Sequence, residues 1–442
     1  MRDALVFMLV AGSLPLILSR PWIGILVWSW LGYMNPHRLT WGFAYNFPFA
    51  MLVALTTLVA LIFYKGPKKF PITPLVVFWF TFILWMNVST MTALDRPYSM
   101  IEWDRTMKIM LFTILMMVLI RTKHQLNILI WVIVGSLGFF GVKGGLFSIL
   151  TGGNYLVWGP PGSFIEGNNE LGLAMVMTMP LIFYLFGQAE DKRVRWALLG
   201  IMALTSLSIL TTHSRGAFLA CGTMGVVLWY YSSRKVLIGC ALVVAAIVMW
   251  NFMPEHWHER IYSIGSYKED GSALGRINAW YFAYHFANDH PWTGGGFGTF
   301  TPELFMQYAP EPEDFHDAHS IYFEVLAEHG YVGLVLFLLI GAGALITSAR
   351  NISLAKKRPD LKWAENLSRM IIVSLCSYAI GGAFLGLAYF DLYWHFIAMI
   401  IIIRMIIRAP PENEDFSEVS SQLREIEVQR AMSTPRPAMQ RS

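Results

Sequence analysis

The sequence predicts an all-α polytopic membrane protein with about twelve transmembrane helices and one large external loop. Hydrophobic residues make up 55% of the 442 residues, charged residues 14%, and mean hydropathy is +0.49. Apolar runs recur along the chain, each long enough as a helix to cross a hydrocarbon core about 30 Å thick. The alternating pattern of a transmembrane barrel is absent from the sequence, so helices are expected to satisfy the backbone in lipid.

Eleven apolar runs are predicted to span the membrane. In order they cover about 47–64, 72–92, 105–120, 126–148, 169–187, 195–211, 215–231, 236–252, 331–348, 369–388 and 391–407. Residues 1–34 contain two shorter apolar pieces, about 4–18 and 22–34, interrupted at Arg20 and Pro21. One broken crossing there gives twelve spans and a cytoplasmic N-terminus, whereas two crossings give thirteen and an external one. We expect the single broken crossing.

Basic residues orient the predicted spans. Cytoplasmic loops carry an excess of Lys and Arg, and the clusters at 65–69, 121–123, 192–195, 234–235 and 356–358 all fall on one side. The predicted divisions are therefore N-terminal transmembrane helices (1–252), a large periplasmic loop carrying the candidate site (253–330), C-terminal transmembrane helices (331–408) and a disordered cytoplasmic tail (409–442), which is polar and rich in Pro, Glu, Ser and Arg.

Overall charge and cysteine content exclude some classes of function. A formal net charge of +4 is unremarkable and gives no indication of nucleic-acid binding. All three cysteines fall inside apolar runs, where they are expected to be small buried hydrophobic residues and not a disulfide framework.

Two arginines on the predicted external side are candidate anion ligands. Arg215 stands at a helix start, where backbone N–H groups and a guanidinium together suit phosphate. Arg276 begins an aromatic stretch typical of a helix lying at the membrane surface, from which it could reach a lipid-linked phosphate. For Arg215 the alternative is an interfacial arginine that extends to lipid headgroups. For Arg276 it is an ordinary amphipathic helix with a solvated charge.

The segment from about 289 to 330 contains the other candidates. Glycines at 294–298 lack the lysine of a P-loop, and predict a turn that lets backbone approach a partner. His316 and His319 lack an evident third metal ligand, so one of them is a candidate base. Glu324 and Glu328 follow on one predicted helix, where either could orient a histidine or belong to a solvated face. A loop histidine without a role is the alternative for each.

Lys143 is an ionisable group near the outer end of an apolar span, where a partner or ligand is expected. The acidic pair Glu102 and Asp104 stands near a predicted helix start, where carboxylates favour the helix dipole. Glu170 is expected to cap the following helix. With no Asp-x-Asp motif on a predicted external loop, a divalent metal holding pyrophosphate is not expected, and neither is a cofactor.

Three groups of residues together resemble the O-antigen ligase family, which belongs with O-antigen polymerases and related lipid-linked oligosaccharide transferases. They are residues 213–217, residues 275–276 with Trp280, and residues 290–300 followed by 318–324 and 328–333. The plan of about twelve spans with one late external loop fits across nearly the full length. Ser320 stands where the family often has asparagine, which puts a side-chain amide contact there in doubt and leaves His319 in place.

The resemblance implies a membrane-embedded glycosyltransferase of the C-type superfamily in the bacterial inner membrane, with its active site facing the periplasm. Its donor is a glycan on undecaprenyl pyrophosphate, its acceptor a sugar hydroxyl of lipid A–core, and its product complete lipopolysaccharide, made without metal or nucleotide sugar. By position Arg215 and Arg276 carry over as pyrophosphate-binding residues and His319 as the catalytic base, with Lys143, His316 and Glu324 as supporting residues.

Three other functions compete with this one. An O-antigen polymerase or a protein O-oligosaccharyltransferase would use the same donor and differ in the acceptor. A transporter of lipid-linked glycan would show internal repetition and charged residues near mid-membrane. The sequence shows no repeat, and its candidate residues cluster at the outer face.

Overall fold

A computed structural model describes residues 1–66, 68, 70–252 and 271–409. Within these residues the chain forms fifteen α-helices and no strand. The helices are α1 (Arg2–Ser19), α2 (Trp22–Met34), α3 (Phe49–Phe63), α4 (Pro74–Met91), α5 (Arg96–Leu119), α6 (Lys123–Thr151), α7 (Asn168–Gln188), α8 (Lys192–Thr211), α9 (Arg215–Tyr231), α10 (Lys235–Phe252), α11 (Gly271–Asp289), α12 (Pro302–Tyr308), α13 (Ile321–Ala355), α14 (Lys362–Gly381) and α15 (Asp391–Arg408). The predicted disordered tail lies outside the described residues except for Ala409, as do residues 253–270 of the predicted loop.

Local sequence signals set many of these helix ends. The Ser214 side chain accepts a hydrogen bond from the backbone N–H of Ala217, so α9 starts at Arg215 as predicted. Thr122 and Gln125 form a capping box at the start of α6. The Asp95 side chain accepts from the N–H of Tyr98 and starts α5 well before the predicted span at 105.

The first two helices fold back on each other as a hairpin. The backbone N–H of Ala44 donates to the Asp3 carboxylate at 3.1 Å, and Arg2 donates to the Leu39 carbonyl at 3.5 Å. Because α1 alone is about 27 Å long at 1.5 Å per residue, these contacts require α2 to return to the end where α1 begins. The expectation that residues 1–34 form one broken crossing is therefore wrong.

Seven helices among the described residues are long and apolar enough to cross a membrane: α1, α4, α6, α7, α8, α13 and the segment containing α14. Three shorter apolar helices add to them, at Trp22–Met34, Phe49–Phe63 and Lys235–Val244. This confirms an all-helical, multi-pass architecture, whereas the predicted total of about twelve spans is not confirmed.

The core of the bundle lies along α7, α14 and α15. Most side chains of α15 from Asp391 to Ile403 are buried, as are those of α7 from Leu171 to Ile182. Beside this core, α6 and α8 pack closely because a Cβ at Gly145 would collide with the backbone of Leu204. Small residues permit such close approach of helices in membranes.

A kink divides α13 at Gly330, whose φ of +67° and ψ of −172° interrupt the helix. Residues 321–329 form a short helical segment before the kink, and the predicted span begins immediately after it at Tyr331. The kink therefore separates a segment carrying Glu324 and Glu328 from the membrane-crossing part of the helix.

Candidate active site

A cavity of about 270 Å³ lies where several helix ends meet. Its walls come from the start of α5, the loop containing Phe164, the start of α7, the glycine loop (residues 294–298), residues 317–319, the first turns of α13 and residues 386–389. The lining residues are Tyr98, Glu102, Phe164, Glu170, Phe297, Gly298, Phe300, Asp317, Ala318, His319, Glu324, Glu328, Gly386 and Tyr389. These segments all belong to the side that basic-loop counting predicts to be external.

His319 lies in this cavity immediately before α13, with a backbone φ of +41°. Trp280 fixes the preceding peptide, because its indole N–H donates to the carbonyl oxygen of Ala318 at 2.9 Å. The Trp280 ring in turn stacks on Phe323, with ring centroids 5.2 Å apart. A left-handed conformation at a residue other than glycine persists only where surrounding contacts hold it, and such residues cluster at functional sites.

The electrostatic surroundings of His319 keep its imidazole neutral near pH 7. Burial lowers the pKa of His319, and the electrostatic effects of Arg276 and His316 lower it further, while Asp317 opposes them. Both desolvation and a nearby like charge disfavour the imidazolium. A neutral imidazole can accept a proton, as a general base requires.

Arg276 is placed beside His319 by α11. Gly275 lies directly against the His316 ring, where a Cβ would collide with it, so the start of α11 fits closely onto the loop that leads to His319. The Arg276 charge acts on both His319 and Glu170. The predicted pair of Arg276 and His319 thus falls in one neighbourhood.

Arg215 is the first residue of α9. The N-terminal end of α9 packs against Phe384, which also lies next to Trp280 of α11. A Cβ at Gly216 would lie 3.5 Å from the Phe384 side chain, and the rings of Trp280 and Phe384 are 6.0 Å apart. The helices carrying Arg215 and Arg276 therefore both contact Phe384. At the other side of this turn, the Asn168 amide donates to the carbonyl of Thr212 at 2.7 Å and joins α9 to the start of α7.

Five carboxylates line the cavity, and the sequence indicated two of them, Glu324 as a supporting residue and Glu328 as another group that could orient a histidine. The others are Glu102, Glu170 and Asp317. Glu324 accepts a hydrogen bond from the N–H of Ala388 at 3.3 Å. Glu102 lies beyond the first turn of α5, where a helix-dipole role no longer explains it. A carboxylate deeper in an apolar helix is the signal that could have identified it.

A buried hydrogen-bond network supports one wall. The Glu328 carboxylate accepts from the N–H of Gly298 at 2.7 Å and from the Tyr389 hydroxyl at 2.5 Å. That hydroxyl also lies 2.9 Å from Nε2 of His329, whose Nδ1 is 2.7 Å from Oγ of Ser89. With its single proton donated to Glu328, the Tyr389 hydroxyl can accept from Nε2–H of His329.

The glycine loop, residues 294–298, pairs through its backbone with the last turn of α13 before the kink. The N–H groups of Gly295 and Gly296 donate to the carbonyls of Ala327 and Glu328, each at 2.9 Å. A Cβ at Gly294 would collide with the Ala327 carbonyl oxygen. The predicted partner of this loop is therefore the protein's own helix, which the loop fixes in place beside Glu328.

Replacing Gly294 by alanine is expected to destabilise the protein by about 2 kcal/mol or more, because Gly294 has a φ of +61° and no room for a Cβ. Thermal unfolding of the purified protein in detergent measures the effect. Gly187→Ala is the matched control, since a Cβ there meets nothing within 4 Å. Equal unfolding temperatures for the two variants would contradict the role of Gly294.

Two predicted supporting residues lie outside the cavity wall. Lys143 is exposed on α6 and is not among the lining residues. His316 lies next to the site, where its Nε2 is 3.0 Å from an Asp314 carboxylate oxygen. No group of three or more His, Cys, Asp or Glu side chains arranged to hold a metal ion occurs in the described part of the chain.

Two family models match separate parts of the chain. Residues 200–338 match the family model described as O-antigen ligase. Residues 1–190 match a family of unknown function, DUF5935. No curated protein matches the chain. The first match contains Arg215, Arg276, His316, His319 and Glu324, whereas Glu102 and Glu170 belong to the second.

Proposed function

The resemblance to the O-antigen ligase family is confirmed over residues 200–338, and from this premise we propose that the protein is a membrane glycosyltransferase that completes lipopolysaccharide. It transfers a glycan from undecaprenyl pyrophosphate to a sugar hydroxyl of lipid A–core, at the periplasmic face of the inner membrane. The observation that carries the proposal is a neutral, partly buried His319 in a cavity beside the charge of Arg276.

The proposed reaction is a single displacement with inversion. His319 takes the proton of the acceptor hydroxyl, and the oxygen of that hydroxyl forms a bond to the anomeric carbon of the donor. The bond from that carbon to the pyrophosphate oxygen breaks, and undecaprenyl pyrophosphate leaves with the electron pair. Arg276 and Arg215 stabilise the charge that develops on the leaving group, as positioned cations do in other transfers.

The acidic side chains indicate which part of the donor lies in the cavity. Burial raises the pKa of three of the five acidic side chains, Glu170, Glu324 and Glu328. Glu102 and Asp317 remain to repel a pyrophosphate, so we place its charge beside Arg276 and Arg215, outside the cavity. Carboxylates accept hydrogen bonds well from sugar hydroxyls. We therefore place the reacting sugar among Glu102, Glu324 and Glu328, next to His319.

An O-antigen polymerase or a protein O-oligosaccharyltransferase would share this donor chemistry, and the family match supports the polymerase as well as the ligase. Both differ from the ligase in the acceptor. A lipid-linked glycan transporter is less well supported, because the family match is to a ligase and the sequence lacks the internal repeat of many transporters.

Reconstitution of the pure protein with lipid-linked glycan and lipid A–core tests the proposal. Formation of the joined product that resists a chelator is the expected result. Loss of product with chelator, restored by magnesium, would overturn the metal-free mechanism. Transfer to a protein acceptor or to a second lipid-linked glycan, with none to lipid A–core, would overturn the ligase in favour of its alternatives.

The pH dependence of transfer should report His319. Activity needs its neutral form, so the acid limb of kcat/KM is expected to have its midpoint below the ordinary histidine pKa of about 6.5. Asp317 raises the pKa of His319, so Asp317→Asn lowers that pKa further and moves the limb to still lower pH. A limb that stays in place or moves to higher pH in this variant would exclude His319 as the group observed.

A further inference from the structure

A second and larger cavity, of about 490 Å³, adjoins the His319 cavity. The two share Glu102 and Phe164 as lining residues. The larger cavity is built from α2, the Asn35–His37 turn, the start of α3, α5, the Gly162–Ile165 loop and the start of α15. Its volume lies within the range of about 300–1,000 Å³ that is typical of small-molecule sites.

The charges of this cavity balance closely. Arg105 and Lys108 supply two cations, and Glu102, Asp104 and Asp391 supply three carboxylates. Lys108 pairs with Asp104 at 2.5 Å, and Arg105 lies 4.0 Å from Glu102. Because each cation already has an acidic partner, a phosphate gains little here. With two cations set among three carboxylates, the formal charge of the cavity is only −1, so a bare cation also gains little, and an uncharged ligand suits the cavity best.

The polar groups of the cavity suit a ligand rich in hydroxyls. Burial and the Arg38 charge lower the pKa of His37 to about 4, so its ring is neutral at physiological pH. Its Nδ1 is buried and has no hydrogen-bond partner among the described residues. Neutral imidazole, carboxylates and cations together offer both donors and acceptors. Aromatic surface comes from Trp28 and from Phe164, over which the Arg105 guanidinium lies at 3.5 Å.

The position of the cavity assigns it to one substrate. The residues proposed to hold the donor pyrophosphate come from α9 and α11, whereas every lining residue of the larger cavity comes from residues 28–165 or 390–391. A molecule in this cavity reaches the reaction cavity at Glu102 and Phe164. It can therefore present a hydroxyl to His319 without occupying the space beside Arg215 and Arg276.

We propose that the larger cavity is an acceptor subsite that binds a saccharide, and that residues 1–165 thereby select the acceptor. The inference rests on the proposed glycosyl transfer and gives a role to the region that matches a family of unknown function. The saccharide lies between α2, α3 and α5, and its reacting hydroxyl extends past Phe164 toward His319.

Filling the cavity tests the proposal. Ala50 lines it at the start of α3, and Ala50→Phe should raise KM for lipid A–core about tenfold or more, since the ring occupies the space of the sugar. KM for the lipid-linked donor should stay within about twofold. The matched control is Met51→Phe, at an exposed neighbour that does not line the cavity, for which both constants should remain those of the wild type.

Direct binding gives a readout that does not require transfer. Saturation-transfer NMR with an oligosaccharide released from lipid A–core should detect binding to the full-length protein in nanodiscs, and Ala50→Phe should weaken that binding. Lys108→Gln provides a second variant in case Ala50→Phe fails to fold, because Lys108 is exposed on α5. It should weaken binding about threefold to tenfold, as expected for the loss of one solvent-exposed hydrogen bond.

Each other outcome points elsewhere. An unchanged acceptor KM in a folded Ala50→Phe variant overturns the subsite while leaving the proposed function intact. A rise in donor KM alone overturns the acceptor assignment in favour of distal donor sugars. Binding of a Ser- or Thr-containing peptide in place of the oligosaccharide overturns the saccharide. Absence of transfer combined with Ala50-dependent oligosaccharide binding refutes the proposed function and the acceptor role, and leaves the cavity as a saccharide-binding site.

Discussion

Replacing His319 by asparagine is expected to lower kcat for glycan transfer by about 10²–10⁴-fold, the usual contribution of a positioned general base. Asparagine suits this test better than alanine, because it tolerates the left-handed backbone that His319 adopts with φ of +41°. The unfolding temperature should therefore stay near that of the wild type while activity disappears. Initial rates at saturating donor and acceptor, together with thermal unfolding in detergent, measure the two effects.

A second histidine provides the control for this experiment. His285 is exposed on α11, where its Nδ1 lies 2.9 Å from the Tyr308 carbonyl, and it does not line the reaction cavity. His285→Asn should retain the activity of the wild type. If His319→Asn also retained it, the base would have to be another group, and the buried Glu328 in the same cavity would be the next to replace.

Arg276→Gln is the other substitution with a large expected effect. The glutamine removes a full positive charge from beside the leaving group, and kcat/KM should fall by about 10²–10³-fold, as when a positioned donor to a developing anion is lost. Arg276→Lys should recover only part of the rate, because an ammonium cannot bind phosphate through a planar, bidentate fork. Steady-state kinetics with varied donor concentration measures both variants.

The same substitution has a second effect, which reports whether Arg276 lies close to His319. The Arg276 charge lowers the pKa of His319, so its removal raises that pKa and moves the acid limb of the residual activity to higher pH. The shift is opposite in sign to the one expected for Asp317→Asn. Arg234→Gln, at an exposed position between α9 and α10, is the control. Loss of activity without movement of the limb would separate Arg276 from the neighbourhood of His319.

Helices could be located from sequence because their signals are local. The length of the apolar runs located most of the helices, and the cap at Ser214 located the start of α9 at Arg215. The direction in which a helix runs depends instead on contacts between residues far apart in the sequence. The break at Arg20 and Pro21 was visible, but only tertiary contacts, from Asp3 to Ala44 and from Arg2 to Leu39, show that the chain turns back there.

The candidate site was only half accessible to sequence reasoning. His319, Arg276 and Glu324 belong to one segment with a recognisable pattern, whereas the acidic wall is assembled from α5, α7 and α13 by tertiary packing. An error in the predicted start of α5 is one reason that Glu102 was missed. A span expected from residue 105 placed Glu102 ahead of the helix, and the true start at Arg96 carries it past the first turn and into the cavity.

The pairing between the glycine loop and α13 restricts how substrates can enter. Opening the cavity at this wall would break the bonds from Gly295, Gly296 and Gly298 to the turn before the kink, and also the bond from the N–H of Tyr331 to the Pro291 carbonyl. Each buried group left without a partner costs about 1–3 kcal/mol. In the proposed reaction two lipid-linked substrates exchange at every turnover, so we expect them to enter and leave through a different side of the molecule while this wall stays closed.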